Sequence, residues 1–322
     1  MADAIVQMES PVARVNAKLT EMGTVLKNTL KWQVSSSLLH GFMGAVSGAL
    51  RYTKDLNKSL NDIRIVSKAS ADDMEVFATK ASKIAKILNT TTNEYAKAAL
   101  IYYQQGLSSA EVEDRTAITI KMANAAGESA DKVSQQLTAV WNNFYNGSKS
   151  LEYYADVMTA LGAATASSTD EISEGLEKFA SVAETVGLSY EYATSALATV
   201  TATTRQSADV VGTAFKTLFA RIQDLEQGDT LDDGTTLGKY SNALMTIGVN
   251  IKDTTGDLKN MDSILDEVGT KWGTLSSDAK MALAQTLAGI RQYTQFIALM
   301  DNWDFFEENV TLAKNSTGEL EK

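Results

Sequence analysis

The sequence predicts an all-α fold of stacked antiparallel helical hairpins, interrupted by one small β-hairpin near residues 249–258. Three observations predict it. Proline occurs once, at Pro11, and because an interior proline costs a helix about 3 kcal/mol, helix is permitted almost everywhere. Apolar residues recur in alternating steps of three and four, the spacing that places them on one helix face. Glycines are followed within a few residues by Ser or Thr, so that a left-handed helix stop adjoins a helix start.

Taken in order, the first apolar stripe is Val12, Val15, Leu19, Met22 and Leu26. The next segment, Leu38 to Leu50, is the most apolar in the chain, and it sets Gly41, Ala45 and Ala49, and Gly44 and Gly48, four residues apart. On a helix these form small-residue stripes that allow close backbone approach. Both stripes are candidates for helix packing or self-association. At 13 residues and with His40 inside it, the window falls short of the roughly 20 apolar residues that a membrane span needs.

Further stripes are Met74, Phe77, Ala81, Ile84 and Leu88; Ile172, Leu176, Phe179, Ala183 and Val186; and Val211, Phe215, Leu218, Ile222 and Leu225. Each covers about two heptads, shorter than most coiled coils. Breaks are expected at Gly106, Gly127, Gly147 and Gly187, each followed closely by serine. Thr91 to Glu94, Ser108 to Glu111 and Ser168 to Glu171 have capping-box spacing, in which each side chain satisfies a free backbone N–H of the other residue. Ser70, Ser207 and Ser276 are followed two residues later by Asp72, Asp209 and Asp278, acids that complement the positive end of a helix dipole. Short connections between helices of this length favour antiparallel neighbours. The alternation Val249-Asn250-Ile251-Lys252, with turn residues Asp253 to Gly256 after it, reads as the strand pair. Gln227 to Gly238, rich in Gly, Asp and Thr, reads as an exposed loop and domain boundary. The expected division is therefore a helical arm over 1–60, a helical-hairpin core over 61–228, and a C-terminal helical region over 229–322.

Composition narrows the function. Hydrophobic residues at 44% and charged residues at 21% fit a folded chain rather than a disordered one. The net charge of −11 and a pI near 4.7 disfavour binding to phosphate backbones. The absence of cysteine removes disulfides, thiolate nucleophiles and thiolate metal sites together. Met1 to Gly23 lacks the charge and apolar pattern of a signal peptide, so synthesis in the cytoplasm is expected.

No catalytic constellation emerges. His40 is the only histidine and sits among Leu38, Leu39, Gly41 and Phe42, a packing environment without an orienting partner. Asp229 to Tyr240 imitates a calcium loop, but Leu231 and Tyr240 occupy ligand positions. Gly212 to Thr217 contains Lys216-Thr217 without the glycine of a phosphate loop. The pairs Asp72-Asp73, Asp232-Asp233 and Glu307-Glu308 are adjacent in sequence, and adjacent helical residues do not converge across a cleft. The aromatic cluster Tyr95, Tyr102, Tyr103, Trp141, Phe144, Tyr145, Tyr153 and Tyr154 lacks accompanying cations, which favours helix packing over base stacking. A non-enzyme without cofactor or metal is expected.

A family resemblance rests on stretches in a particular order. They are LNKSLNDIRIV from Leu56, AALIYYQQGL from Ala98, TAVWNNFY from Thr138, and the long run from Val186 to Arg221, VGLSYEYATSALATVTATTRQSADVVGTAFKTLFAR. Ile247 to Ile251 with Gly256 to Leu258, then Ala288 to Gln292 and LMDNW from Leu299, continue it. In this order the chain resembles the tail tape-measure proteins of Gram-positive-type siphophages and related prophage or tailocin elements. The resemblance implies a protein of the tail-tube lumen that sets tube length, leaves with the DNA at ejection, and occupies the host bacterial cytoplasm during assembly. It also implies tail-tube proteins, tail-tip or baseplate proteins and tail assembly chaperones as partners, with homo-oligomerisation through the stripes above. Such proteins commonly continue through long helical repeats beyond the point matching Lys322, so this chain is expected to be a piece of one. Fully helical, it would reach only about 480 Å at 1.5 Å per residue, which suits an end-piece or assembly domain better than the ruler itself. The alternatives are a membrane-active, pore-forming helical protein using Leu38 to Leu50, and, more weakly, a cell-wall hydrolase module.

Overall fold

The computed structural model describes residues 36–223, 238–255, 257 and 259–322. Among them the chain is all-helical, with fourteen α-helices and a closing 3-10 turn at Glu319–Glu321. It divides into two compact units, one ending at Ala117 and the other running from Ile118 to Lys322.

The first unit contains α1 (Ser36–Ser67), α2 (Ala71–Ile87), α3 (Thr92–Gln104) and the first half of α4 (Ser109–Ala126). Its helices are separated by residues in the left-handed region, Lys68, Asn89 and Gly106. Ser70 and Asp73 form a complete capping box on α2, and Thr91 accepts the Glu94 N–H on α3. The dominant pairing is α1 on α3. Ile63, Met74, Ala96, Ala99, Tyr102 and Val112 form its core, and the buried hydroxyl of Ser59 donates to the Asn93 side chain at 3.0 Å. The α2 stripe faces inward as its spacing requires, with Met74 and Ala81 buried and Phe77 packed against the core.

The second unit contains the rest of α4, then α5 (Ala130–Phe144), α6 (Leu151–Ala164), α7 (Thr169–Thr185), α8 (Tyr190–Thr204), α9 (Ala208–Gln223), α10 (Gly238–Thr246), α11 (Met261–Trp272), α12 (Ser277–Ala288), α13 (Tyr293–Asp301) and α14 (Trp303–Lys314). Its central element is α8, which packs against α6, α7, α9, α13 and α14. Every residue from Ala193 to Thr201 is buried. Five neighbours can surround α8 because its side chains are small. Thr194 and Thr201 donate to the carbonyls four residues back at 2.7 and 2.6 Å and Thr199 accepts from Asn309 at 2.9 Å, while the buried Ser195 hydroxyl has no hydrogen-bond partner among the described residues. A Ser/Thr-rich helix is thereby buried without the penalty of unmade hydrogen bonds at these threonines.

A close backbone-to-backbone approach joins α7 to α9. A Cβ on Gly212 would stand 2.4 Å from the carbonyl oxygen of Gly175, a separation only glycine allows. Around this crossing Phe179, Phe215 and Phe219 are buried, with ring centroids 5.6 to 5.8 Å apart. The end of the chain is held to α6 by Asp156. This carboxylate, 1% exposed, accepts the N–H groups of Gly318 and Leu320 at 2.8 and 2.7 Å.

Two expectations about arrangement change. The β-hairpin expected near 249–258 is not a strand pair among the described residues. Two backbone hydrogen bonds cross that loop, Asp253 N–H to Asp257 O and Lys259 N–H to Ile251 O, both at 2.9 Å. The Asp253 carboxylate takes the N–H groups of Thr255 and Asp257 at 2.8 and 3.0 Å, closing a side-chain-capped turn in place of a ladder. Val249 and Ile251 alternate because both are buried. Several of the strongest pairings also skip a helix, α7 with α9, α1 with α3 and α5 with α7, rather than joining consecutive helices in a plain stack of hairpins.

Candidate functional site

Val12, Val15, Leu19, Met22 and Leu26 lie outside the described residues. Gly41, Gly44, Ala45, Gly48 and Ala49 fall on α1, in the part for which only the backbone is described, as does His40. The Asp229 to Leu237 loop segment, including Asp232-Asp233, is also outside the described residues. Gly212 to Thr217 is interior helix of α9, and its glycine serves the crossing with α7. Asp73 belongs to the α2 capping box, where the Ser70 hydroxyl and then its backbone N–H hold the carboxyl below its ordinary value. Glu307 and Glu308 are exposed on α14. Among the described residues no group of His, Cys, Asp and Glu is placed to hold a metal ion, and no helix is long and apolar enough to cross a membrane.

The aromatic cluster separates into two groups. Tyr95 and Tyr103 flank Phe77 in the first unit, at 6.3 and 6.1 Å between ring centroids. Trp141, Phe144, Tyr145, Tyr153 and Tyr154 meet in the second unit, joined by Tyr190, which the sequence reading did not single out. Tyr190 is buried at the first position of α8, and its hydroxyl donates to the Tyr154 carbonyl at 2.7 Å. The Tyr154 hydroxyl donates to the Phe144 carbonyl at 2.9 Å, and that of Tyr153 to Glu191. Burial, then the charge of Glu191 and the neighbouring Tyr145, pushes Tyr154 up to about 12. Burial raises Tyr190 further. These phenols stay protonated and their hydroxyls are committed inside the protein.

These rings wall a cleft of about 370 Å³ where the ends of α5 and α7 meet the starts of α6, α8 and α11. Tyr145 stacks on Trp141 at 3.8 Å and 15°, and it remains 48% exposed. Lys149 places its ammonium 4.0 Å from the centre of the Tyr153 ring. Glu184, Glu191 and Asp262 also line the cleft. Burial pushes the Asp262 carboxyl up, against the opposing hydrogen bond from the Ser189 N–H at 2.9 Å.

A second cavity of about 670 Å³ lies among α11 to α14. There Asp301 accepts from the Trp272 indole at 2.6 Å and from Lys280 at 2.9 Å, and the Trp303 ring fills the space over Gly269. Asp301, Trp272 and Lys280 thus serve one another, Thr270 and Asn302 donate to carbonyls of their own helices, and the buried Trp303 indole N–H has no hydrogen-bond partner among the described residues.

The family model for phage-related minor tail proteins matches residues 78–289, from within α2 to just past the end of α12. The chain belongs to the phage-related minor tail protein family. Membership in this minor tail protein family supports a structural role in a phage tail and makes the chain a virion component. The matched span contains the α7–α9 glycine crossing, the whole of α8 and the whole aromatic cleft. No solved structure matches the chain.

Proposed function

We propose that this minor tail protein is a segment of a tail tape-measure protein, a helical assembly element in the lumen of the tail tube that takes part in setting tail length and in DNA ejection. The family match over residues 78–289 is the observation that carries the reading. It is supported by the ordered resemblance from Leu56 to Trp303 and by a helical framework whose polar groups are spent on capping and packing. The acidic balance of −11 discourages clinging to DNA that passes the same channel. Its partners under this reading are tail-tube proteins, tail-tip or baseplate proteins and tail assembly chaperones. Residues 1–60 act as an arm, residues 61–228 as the helical core and residues 229–322 as the C-terminal region. Contacts between copies run through the Val12 to Leu26 stripe and the Gly41 to Ala49 stripe. The protein works without chemistry or cofactor.

The test is protection. An epitope tag placed at the exposed Gly147 turn should resist external protease and antibody in intact virions and be released when DNA is ejected. Cleavage of the tag in intact, infectious particles would overturn the lumenal placement.

A further inference from the structure

The aromatic cleft at the junction of α5, α6, α7, α8 and α11 has a polarity that packing alone does not explain. Tyr153, Tyr154 and Tyr190 are buried, with their hydroxyls consumed by Glu191, the Phe144 carbonyl and the Tyr154 carbonyl, so the ring it offers outward is that of Tyr145, 48% exposed. Ring faces carry the negative end of the aromatic quadrupole and attract cations. Lys149, from the loop between α5 and α6, already demonstrates the mode by seating its ammonium over Tyr153.

The carboxylates point the same way, and one of them is diagnostic. Glu191 and Asp262 lie in the first turns of α8 and α11, where acids offset the helix dipole and need no other reason. Glu184 lies in the last turn of α7 (Thr169–Thr185), the end at which a carboxylate is disfavoured. It is exposed, and its carboxylate has no hydrogen-bond or ion-pair partner among the described residues. Glu184 therefore works against its own helix while adding negative charge to a cleft with one lysine. The half-exposed ring of Tyr145, backed by Trp141, stands in the same cleft.

We propose that this cleft is the docking site for a guanidinium or ammonium side chain on a basic segment of a partner protein, with Lys149 as a built-in placeholder that the incoming cation displaces. The occupant follows from charge complementarity. An acidic segment would meet three carboxylates, and an apolar one would cover Glu184 without giving its carboxylate a partner. The proposal does not depend on the tape-measure reading, because it concerns only what the cleft recognises.

The experiment titrates the full chain with a penta-arginine peptide, and with penta-glutamate as control, by calorimetry and by amide chemical shifts. Saturable binding of penta-arginine is expected, with shifts concentrated at Asn143 to Tyr145 and at Ser189 to Glu191. Glu184→Gln should weaken it by about twofold to fivefold, the range of an exposed ion pair, while leaving thermal stability unchanged or slightly raised. Tyr145→Ala should weaken binding too. Lys149→Gln should tighten it, because the placeholder is gone. Glu307→Gln on α14 should leave it unchanged, which separates the cleft from attraction by net charge. No saturation at millimolar peptide, an equal loss in Glu307→Gln, or weaker binding in Lys149→Gln would each overturn the proposal.

Discussion

Replacing Gly212 by alanine sets local propensity against tertiary packing. In an isolated helix the change should stabilise by about 1 kcal/mol. Here the new Cβ would stand 2.4 Å from the Gly175 carbonyl oxygen and 3.1 Å from two further Gly175 backbone atoms. Backbone cannot rotate aside, so α7 and α9 must separate, loosening Phe179 against Phe215 and Phe219. Overpacking of this kind costs about 1–3 kcal/mol, and a backbone clash belongs at the upper end. Subtracting the propensity gain leaves a net loss of about 2 kcal/mol. Hydrogen exchange at the slow amides of Ala196 to Val200, in the middle of buried α8, reads this directly as an acceleration of roughly 30-fold. Gly273→Ala is the control, since a Cβ there meets nothing within 4 Å at φ −61°, and it should gain about 0.4–1 kcal/mol. Exchange in Gly212→Ala as slow as in the parent, or slower, would refute the claim that the glycine pair sets the α7–α9 crossing.

Phe215→Asp should unfold the second unit, because Phe215 is 1% exposed and the loss of a buried Phe alone costs about 3–5 kcal/mol before an unpaired charge is added; a native-like circular dichroism melt would contradict this. Asp156→Ala leaves the N–H groups of Gly318 and Leu320 without their acceptor, at about 1–3 kcal/mol, and their exchange should rise to that of an open terminus while α8 is little changed; unaltered exchange at both amides would count against the clasp. The folded value of Asp73 lies below its unfolded one, so its cap contributes stability above the ordinary aspartate range and loses it as pH falls through the depressed folded value. The Ser70 amide shift should therefore titrate below that range and stop titrating in Asp73→Asn; a midpoint at or above the ordinary value would contradict the capping account.

Local chemistry was legible in the sequence. Gly106, Gly127, Gly147 and Gly187 all adopt positive φ; Gly106, Gly127 and Gly187 do so where a helix ends on a conformation that costs a side chain, whereas Gly147 lies in the loop after α5 has already turned extended at Tyr145. Ser108 and Ser168 close the boxes their spacing implies, since a cap depends on residues three apart; Thr91 caps with its hydroxyl alone, and Ser70, expected only to place Asp72 in the first turn, closes a box with Asp73. What depends on distant residues was not legible. The alternation Val249-Asn250-Ile251 looked like a strand, yet its period came from two side chains reaching a helical core and its closure from the Asp253 carboxylate. Nothing local marks α8 as the centre, because an Ala/Thr/Ser helix has little contrast between its faces. The available signal was its smallness, with Ala193, Ser195, Ala196 and Ala198 leaving room for a neighbour on every side. The aromatic cleft draws on segments from Asn143 to Asp262, and only its Trp141 to Tyr154 portion stood out as a cluster. Tyr190 and Glu184 gained meaning from the neighbours the fold gave them.

If this minor tail protein acts in tail assembly through its helical fold, a change that breaks the fold must change the tail. Electron microscopy of tails assembled from the full-length protein carrying Phe215→Asp, beside tails carrying Glu307→Gln, tests this most directly. Tails that are absent or of altered length with Phe215→Asp, and of parental length with Glu307→Gln, are the predicted result. Tails of parental length and number in both, with the Phe215→Asp segment unfolded, would contradict it.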